Sequence, residues 1–322
     1  MSYKTETSQM SAQFINSSFV RKLEEGRTKE AAVEGSAFIR ELVRQESYAR
    51  EIIQPVLLQD DEVDRDEHTD EPKKIIEKEP DSTATFVQFA GSGPRTWFKG
   101  ARYAVYFGKV ESQHFTKSKF QLMTYVNDIR KILADNSVKD LSDQEDKKFQ
   151  ATVDDILASN DALALGQTTN AGVFNASAFK AGFQKMVSRR LPIGKMTMCK
   201  ELFYEALDLR ADIYGNDVAS KHYYEGVESE TKLFGIPVIT TIKRSIHDPK
   251  SVYIYAPENY LGNFFLLQDA TLFIKQEADV ITFWTYAAPG IGIGNTKSIQ
   301  KIVFPTLGDV DGQSVDGKAQ NP

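Results

Sequence analysis

Hydrophobic and polar positions change period several times along the chain, and each change marks an element. Residues 36–53 carry Phe38, Leu42, Ala49, Ile52 and Ile53 at helical spacing, with Ser36 placed to cap the start and Pro55 to end it. Val56, Leu57 and Leu58 then predict a short strand. Two β-favouring runs follow, Thr83–Phe89 and Arg95–Phe107, separated by Ala90-Gly-Ser-Gly-Pro94. In the first, Thr85, Val87 and Phe89 share one face and Phe86 and Gln88 the other. In the second, Ala101, Tyr103, Val105 and Phe107 alternate with Arg102, Ala104 and Tyr106. Together they predict a long hairpin within Lys73–Ser112, each arm of about nine residues reaching roughly 30 Å at ~3.3 Å per residue.

Helical periodicity returns with Leu122, Val126, Ile129 and Leu133 on one face. A break is expected at Asn136-Ser137. Ser142-Asp-Gln-Glu145 then has the form of a capping box, and Phe149, Val153, Ile156 and Leu157 form the stripe of a second helix. That stripe is narrow and the other faces are charged, which suits a helix lying across a sheet with its back to water. Beyond residue 160, Phe179, Phe183, Met186 and Val187 mark a helix ending before Pro192. Thr197 is placed to cap another, with Leu202, Phe203, Ala206 and Leu209 inward. Strands are expected at Leu233–Lys243 (entered by a turn), Ser251–Ala256, Ala270–Lys275 and Val280–Tyr286. A closing strand is expected at Ile291–Phe304, interrupted near Asn295. Helices followed by strands predict an α+β fold rather than a doubly wound sheet.

The hairpin raises a question of partners. Seven aromatics lie between Phe86 and Phe107, with no helical pattern between them to cover them. An isolated two-stranded ribbon is at best marginally stable in water. This one therefore lies on the body of its own chain or on another copy. The N-terminal 35 residues pose the same alternative. They are polar with thin apolar content, in which Phe14, Ile15, Phe19, Val20 and Leu23 suit one short amphipathic helix, and form either an arm ordered by a receiving surface or a mobile tail. The Gly-, Asp- and Gln-rich tail from Gly308 is expected to fray.

Composition narrows the classes. The chain has 322 residues, enough for two domains, and its 41% hydrophobic and 26% charged residues are ordinary for a globular core. No apolar run approaches the ~20 residues that span a bilayer. The N-terminus has no apolar core like that of a secretory signal, so synthesis in the cytosol is expected. A net charge of −6 argues against a surface built to grip nucleic-acid phosphates. The single Cys199 excludes an internal disulfide and a multi-cysteine metal site, and His68, His114, His222 and His247 show no metal-binding spacing. His114 and His247 sit in polar segments and are expected to be solvated. Residues 60–71 hold eight carboxylates. A solvated, self-repelling loop or a contact to a basic partner fits them better than a calcium loop, because Arg65 stands where the sharp turn needs glycine.

The candidate chemistry consists of decoys. Pro289-Gly-Ile-Gly-Ile-Gly-Asn295 resembles a dinucleotide loop, but Asn295 replaces the third glycine and the run lies between strands. A tight turn using positive φ is the expected reading. Gly194-Lys195-Met196-Thr197 ends like a phosphate loop but has Arg189 where its first glycine belongs. Cys199, placed on a predicted helix, reads as a small buried residue. No catalytic, cofactor or metal residue is assigned.

The order of arm, helix, acidic loop, hairpin, long helix, mixed region and closing strand resembles the major capsid proteins of tailed bacteriophages, the Hong Kong 97-like fold. The resemblance is carried by Phe38-Ile-Arg-Glu-Leu-Val-Arg44, the hairpin ending Phe98–Val110, the turn Leu233-Phe-Gly-Ile-Pro-Val238, and Ile291-Gly-Ile-Gly-Asn295 leading to Val303. It implies an N-terminal arm (1–35), a peripheral P-domain beginning at 36–59, an acidic loop and E-loop hairpin (60–112), and P-domain with its spine helix (113–160). An axial A-domain (161–295), a P-domain closing strand (296–307) and a tail (308–322) would follow. It also implies a structural, non-enzymatic protein that self-assembles through E-loop and N-arm contacts into hexamers and pentamers of an icosahedral head. That head would be assembled in the host cytoplasm and would enclose double-stranded DNA without reading its sequence. Portal, scaffolding and decoration proteins are the implied partners, with no membrane and no cofactor. The scaffold is either a separate protein or a removed segment. Phe86, Phe89, Trp97, Phe98, Tyr103 and Tyr106 are the expected subunit contacts. No Lys or Asn can be matched to the covalent links some relatives form, so none is expected. Two alternatives stand beside this. One is an encapsulin-like compartment shell holding cargo enzymes. The other is an α+β enzyme binding a phosphate ligand at Gly290–Asn295.

Overall fold

A computed structural model of the chain describes residues 21–22, 25, 27–30, 32–33, 36–37, 39–40, 47–78, 85–89, 91–93, 95, 100–118, 121, 129–172, 174–204 and 232–305. The expectations for Phe38, Leu42, Trp97, Phe98, Leu122, Val126, Ala206 and Leu209, and for most of the N-terminal arm and the tail, lie outside them. Among the described residues the strands are β1 (Pro55–Leu57), β2 (Asp64–Arg65), β3 (Pro72–Lys78), β4 (Ala101–Tyr106), β5 (Val110–Glu111), β6 (Phe115–Ser118), β7 (Thr168–Asn170), β8 (Lys195–Cys199), β9 (Lys232–Leu233), β10 (Ile236–Thr241), β11 (Ser251–Tyr255), β12 (Asn263–Glu277), β13 (Val280–Gly292) and β14 (Ile299–Val303). The helices with complete bounds are α1 (Tyr48–Ile52), α2 (Ile129–Ala158), α3 (Asn160–Ala164), α4 (Ala176–Ser188) and α5 (Glu258–Leu261). The chain is α+β. It divides into two compact units, one comprising residues up to Phe149 with Gly262–Gly294, the other Gln150–Leu261 with the residues from Asn295. Residues 262–294 cluster with the residues up to Phe149.

The first unit is organised on β12 and β13, a long antiparallel pair joined at Ala278-Asp279, with Ala278 at φ 53°. Each strand runs well beyond the segments expected from sequence. β1 pairs in parallel with β12, while β5 and β6 pair with β13. Alternation sorts the faces. Leu272, Ile281, Phe283, Thr285 and Ala287 are buried on one side. There Ala270, Leu272 and Ala287 pack with Ile39 and with Val138 and Leu141 of α2.

α2 is continuous where two helices were expected. The Asn136-Ser137 break does not occur, and Ser142 is a buried interior residue whose hydroxyl donates to Lys139 O at 3.2 Å. Tertiary contacts override the local turn preference. Thr285 Oγ1 donates to Ser137 Oγ at 3.0 Å, so the hydroxyl that would break the helix is used against the sheet. Phe149, Val153 and Leu157 are buried as their spacing predicts, and Ile156 is half-buried.

Glu145 and Asp146 are buried carboxylates on this helix. Arg50 of α1 donates from Nε and Nη2 to the two Glu145 oxygens, both at 2.7 Å, with the side chains 2% and 0% exposed. Its Nη1 lies 3.4 Å from Asp269, which sits where the β12–β13 register shifts around Gln268. Burial pushes the Glu145 carboxyl up while Arg50 pulls it back. The guanidinium, lowered by burial, is carried above its ordinary value by Glu145 and Asp269. The bidentate geometry is that of a charge-assisted pair. Asp146 accepts from Ser47 Oγ at 2.9 Å and from Ala49 N at 3.1 Å, serving the first turn of α1. Ser47 is the N-cap of α1, accepting from Arg50 N. Ser36, expected as a cap, is instead inside helical backbone. It donates to Ala32 O at 2.6 Å and accepts from Leu272 N at 2.8 Å.

The second unit is a mixed sheet in the order β7-β14-β11-β8-β10-β9. α4 lies against it, with Gly182 of the helix meeting Ile302 and Ile254, and Phe179 and Met186 buried. Phe234 (φ 54°) and Gly235 (φ 81°) make the turn between β9 and β10, as expected. Thr197 and Cys199 are strand residues of β8, not the start of a helix; helical backbone begins at Lys200.

Replacing Arg50 by Met leaves Glu145 buried without its guanidinium partner, and is expected to cost about 3–5 kcal/mol in urea denaturation. The double variant Arg50→Met with Glu145→Leu recovers most of that loss. A single variant as stable as the parent contradicts the ion-pair account.

Candidate assembly surfaces

The ribbon is real, but its first arm is not the expected one. β4 pairs with β3, Lys73 facing Tyr106 and Lys78 facing Ala101, whereas residues 85–88 are not strand and Phe89 lies in a turn closed by Gly91 N to Gln88 O at 2.8 Å. The charged run of β3 suits the pairing because its charges have partners or water. Lys73 lies 3.3 Å from Asp66, and Glu77 lies 3.6 Å from Arg102 across the ladder. Part of the acidic loop joins this sheet through β2. Lys73 and the His68 backbone amide hold the Asp66 carboxyl below its ordinary value, the amide most strongly.

The ribbon has two parts with opposite environments. At its root, Val105 is 1% exposed, and it lies over the strand end that sequence reading took for a turn. Gly290, Gly292 and Gly294 do not use positive φ. They leave room. A Cβ on Gly290 would come within 2.7 Å of Phe107, one on Gly292 would overlap Val105, and one on Gly294 would overlap Tyr103. Tyr103 is further held by Asn263 Nδ2, which donates to its hydroxyl at 3.1 Å. The tip is bare, with Phe86 and Phe89 at 112% and 114% exposure and every described residue from Thr85 to Arg95 exposed. Of the six expected contact residues, Phe86 and Phe89 are bare, and Tyr106 is 51% exposed while its side chain also hydrogen-bonds Asp66. Tyr103 is committed to its own sheet, and Trp97 and Phe98 lie outside the described residues.

Farther along the same face of β13, glycines give way to a row of rings. His114 stacks on Trp284 at 5.0 Å, Trp284 on Phe273 at 5.8 Å, and Phe273 on Tyr286 at 4.8 Å, with Lys109 Nζ 5.0 Å from the Tyr286 ring. Sequence reading missed this row, although Phe273, Trp284 and Tyr286 fall on alternating strand positions. His114 remains exposed as expected and pairs with Glu111 at 3.1 Å.

Among the described residues, His247 and Cys199 come together in the interior. His247, expected to be solvated, is fully buried. Its Nδ1 lies 3.1 Å from Asp248 O and 3.6 Å from Cys199 Sγ, and its Nε2 lies 3.2 Å from Thr197 Oγ1. Burial takes the imidazole down to about 4 and pushes the thiol up to about 11. A neutral thiol beside a neutral imidazole is a poor nucleophile.

No protein-family model and no curated protein matches the sequence. Solved structures do. The asymmetric unit of the bacteriophage PhiM1 mature capsid matches with TM-score 0.57 and 11% identity over 82% of this chain and 88% of that one. A virus-like particle from Pyrococcus furiosus matches with TM-score 0.52 and 11% identity over 85% and 99%. The capsid of a native GTA particle matches with TM-score 0.52 and 12% identity over 80% and 91%. At such identities the likeness is one of fold. The chain has the α+β fold of phage major capsid proteins, the Hong Kong 97-like fold.

Gly292→Val forces its side chain into Val105 and is expected to lower stability by about 1–3 kcal/mol in thermal or urea unfolding. Adding Val105→Ala returns part of it. An unchanged melting curve for Gly292→Val contradicts the packing role of the glycine row.

Proposed function

We propose that this chain is a structural shell protein, a major capsid protein that builds a closed icosahedral head from many copies of itself. The observation that carries the reading is the divided ribbon, rooted on its own sheet and ending in two bare phenylalanines. A soluble chain that ordered such a tip for itself alone would expose apolar surface to no benefit. A neighbouring copy supplies the missing cover, and specific permanent contacts of this kind bury ~1,000 Å² or more. The likeness in fold to capsid and particle subunits supports the same reading.

In this proposal the first unit supplies the E-loop and the P-domain, including β12 and β13, and the second unit corresponds to the axial A-domain. Phe86, Phe89 and Tyr106 make the contacts between copies, joined by Trp97 and Phe98. Tyr103 acts within its own subunit. Hexamers and pentamers form the shell in the host cytoplasm, with portal, scaffolding and decoration proteins as partners and double-stranded DNA inside. The role is structural, consistent with the neutral Cys199–His247 pair. The likeness to a virus-like particle favours keeping one second reading, a compartment shell filled with protein. Nuclease-protected DNA in purified particles distinguishes the two.

Serine at both Phe86 and Phe89 tests the proposal better than removal of the whole ribbon, which would also strip Val105 from the core. The full chain is expected to give closed shells by electron microscopy. The Phe86→Ser, Phe89→Ser chain is expected to stay folded by circular dichroism but fail to assemble. Shells at normal yield from the double variant overturn the tip contact.

A further inference from the structure

The net charge of −6 is unevenly spread along the chain. Residues 162–200 carry Lys180, Lys185, Arg189, Arg190, Lys195 and Lys200 with no Asp or Glu, and residues 295–308 carry Lys297 and Lys301, again with none. The second unit folds these two stretches together. β14 pairs in parallel with β7, and α4 packs on β14 where Gly182 meets Ile302. At the end of α4, Arg189 donates from Nη1 to Lys297 O at 3.1 Å and to Ile299 O at 3.2 Å, and from Nη2 to Gln300 Oε1. Gln300 Nε2 donates to Gly166 O at 3.4 Å, which also accepts from Lys185 Nζ at 3.0 Å. One network thus holds Lys185 and Arg189 beside the Lys297 backbone. Arg190, turned out at φ 61°, and Lys297 are exposed.

Among the described residues, no carboxylate lies within ion-pair distance of Lys185, Arg189, Arg190 or Lys297. Lys301 differs, with Asp154 and Asp248 each 3.9 Å away. Burial lowers the Arg189 guanidinium, and its bonds are to neutral acceptors, so an added anion gains from it. The helix dipole favours Lys185 in the last turn but does not account for Lys297 on another element. The last carbonyls of α4 are filled, Met186 O by Arg189 N and Leu191 N, and Val187 O by Arg190 N. The helix end therefore presents cations rather than carbonyls.

We infer that Lys185, Arg189, Arg190 and Lys297 form a phosphate-gripping face for the backbone of duplex DNA enclosed by the shell. The inference rests on the shell reading for its partner and adds the surface that meets it. The acidic loop of a second copy fits less well, because Glu62, Asp64 and Asp66 are already engaged by Gln59 N, Ile75 N and Lys73. Backbone contacts of this kind carry no sequence preference.

Fluorescence anisotropy of the full chain with a labelled duplex of arbitrary sequence tests it. Four phosphate contacts predict a slope of about −3.6 in log affinity against log salt, a loss of about a hundredfold between about 50 and about 200 mM. The variant Lys185→Gln, Arg190→Gln, Lys297→Gln leaves Arg189 and its network in place. It is expected to bind more than tenfold more weakly at low salt, with the slope reduced by about three. Lys139→Gln, Lys147→Gln, Lys275→Gln removes equal charge from the first unit and is expected to bind as the parent does. Equal loss in both variants, or no salt-dependent binding by the parent, overturns the DNA face. Binding of a peptide spanning residues 59–72 in preference to the duplex overturns it in favour of the acidic loop. Electron microscopy separates this from the shell reading. The basic-face variant is expected to build shells at the parent's yield, and its failure to do so makes the face a contact between copies and overturns the inference alone. A parent chain that builds no shells overturns the shell reading, and the inference with it.

Discussion

The close approach of the ribbon root to β13 is the constraint on which the first unit depends. Three glycines at alternate positions, two in β13 and Gly294 just past its end, remove the side chains that would hold β4 away from the sheet. Val105, Tyr103 and Phe107 occupy that space. Glycine in a strand interior costs stability in itself, so the arrangement persists because burying Val105 and anchoring Tyr103 offset the cost. Farther along, the same strand face carries large rings in place of glycines. One strand thus provides a recess for the ribbon at one end and an aromatic surface at the other.

A second constraint holds the sheet to its helix. The buried residues of α2 are not wholly apolar. Glu145 and Asp146 are among them, and each finds a partner on α1. Such a pair contributes little net stability over an apolar alternative but penalises any other register strongly. A helix of 30 residues, about 45 Å long, has many ways to slide along a sheet. A bidentate Arg50–Glu145 contact, with Asp269 presented by an irregularity in β12, selects one of them.

Much of this was legible in the sequence, and the failures have physical causes. The alternation of Ala101–Phe107 gave the second arm of the ribbon, and Phe149, Val153 and Leu157 gave the helix face. The first arm was misplaced because β propensity favours Thr83–Phe89 over a lysine-rich run, while pairing rewards cross-strand charges that propensity ignores. The helix break was wrong because Asn136 and Ser137 prefer turns only when nothing else takes their hydrogen bonds. The glycine run was read as a turn, although Gly-Ile-Gly-Ile-Gly also has the period of a strand with one empty face. That alternation was the available signal. The Arg50–Glu145 pair and the burial of His247 depend on residues far apart in the chain, and no local pattern reports them.

The central claim is that the ribbon is completed twice, at its root by its own sheet and at its tip by another copy. Amide hydrogen exchange reads both ends at once, in dilute unassembled chain and in the assembled state. The account predicts that the amides of Tyr103–Tyr106 are protected in both states, while those of Phe86–Gly91 exchange freely in dilute chain and become protected on assembly. Protection of Phe86–Gly91 in the dilute chain, or its absence in the assembled state, would contradict it.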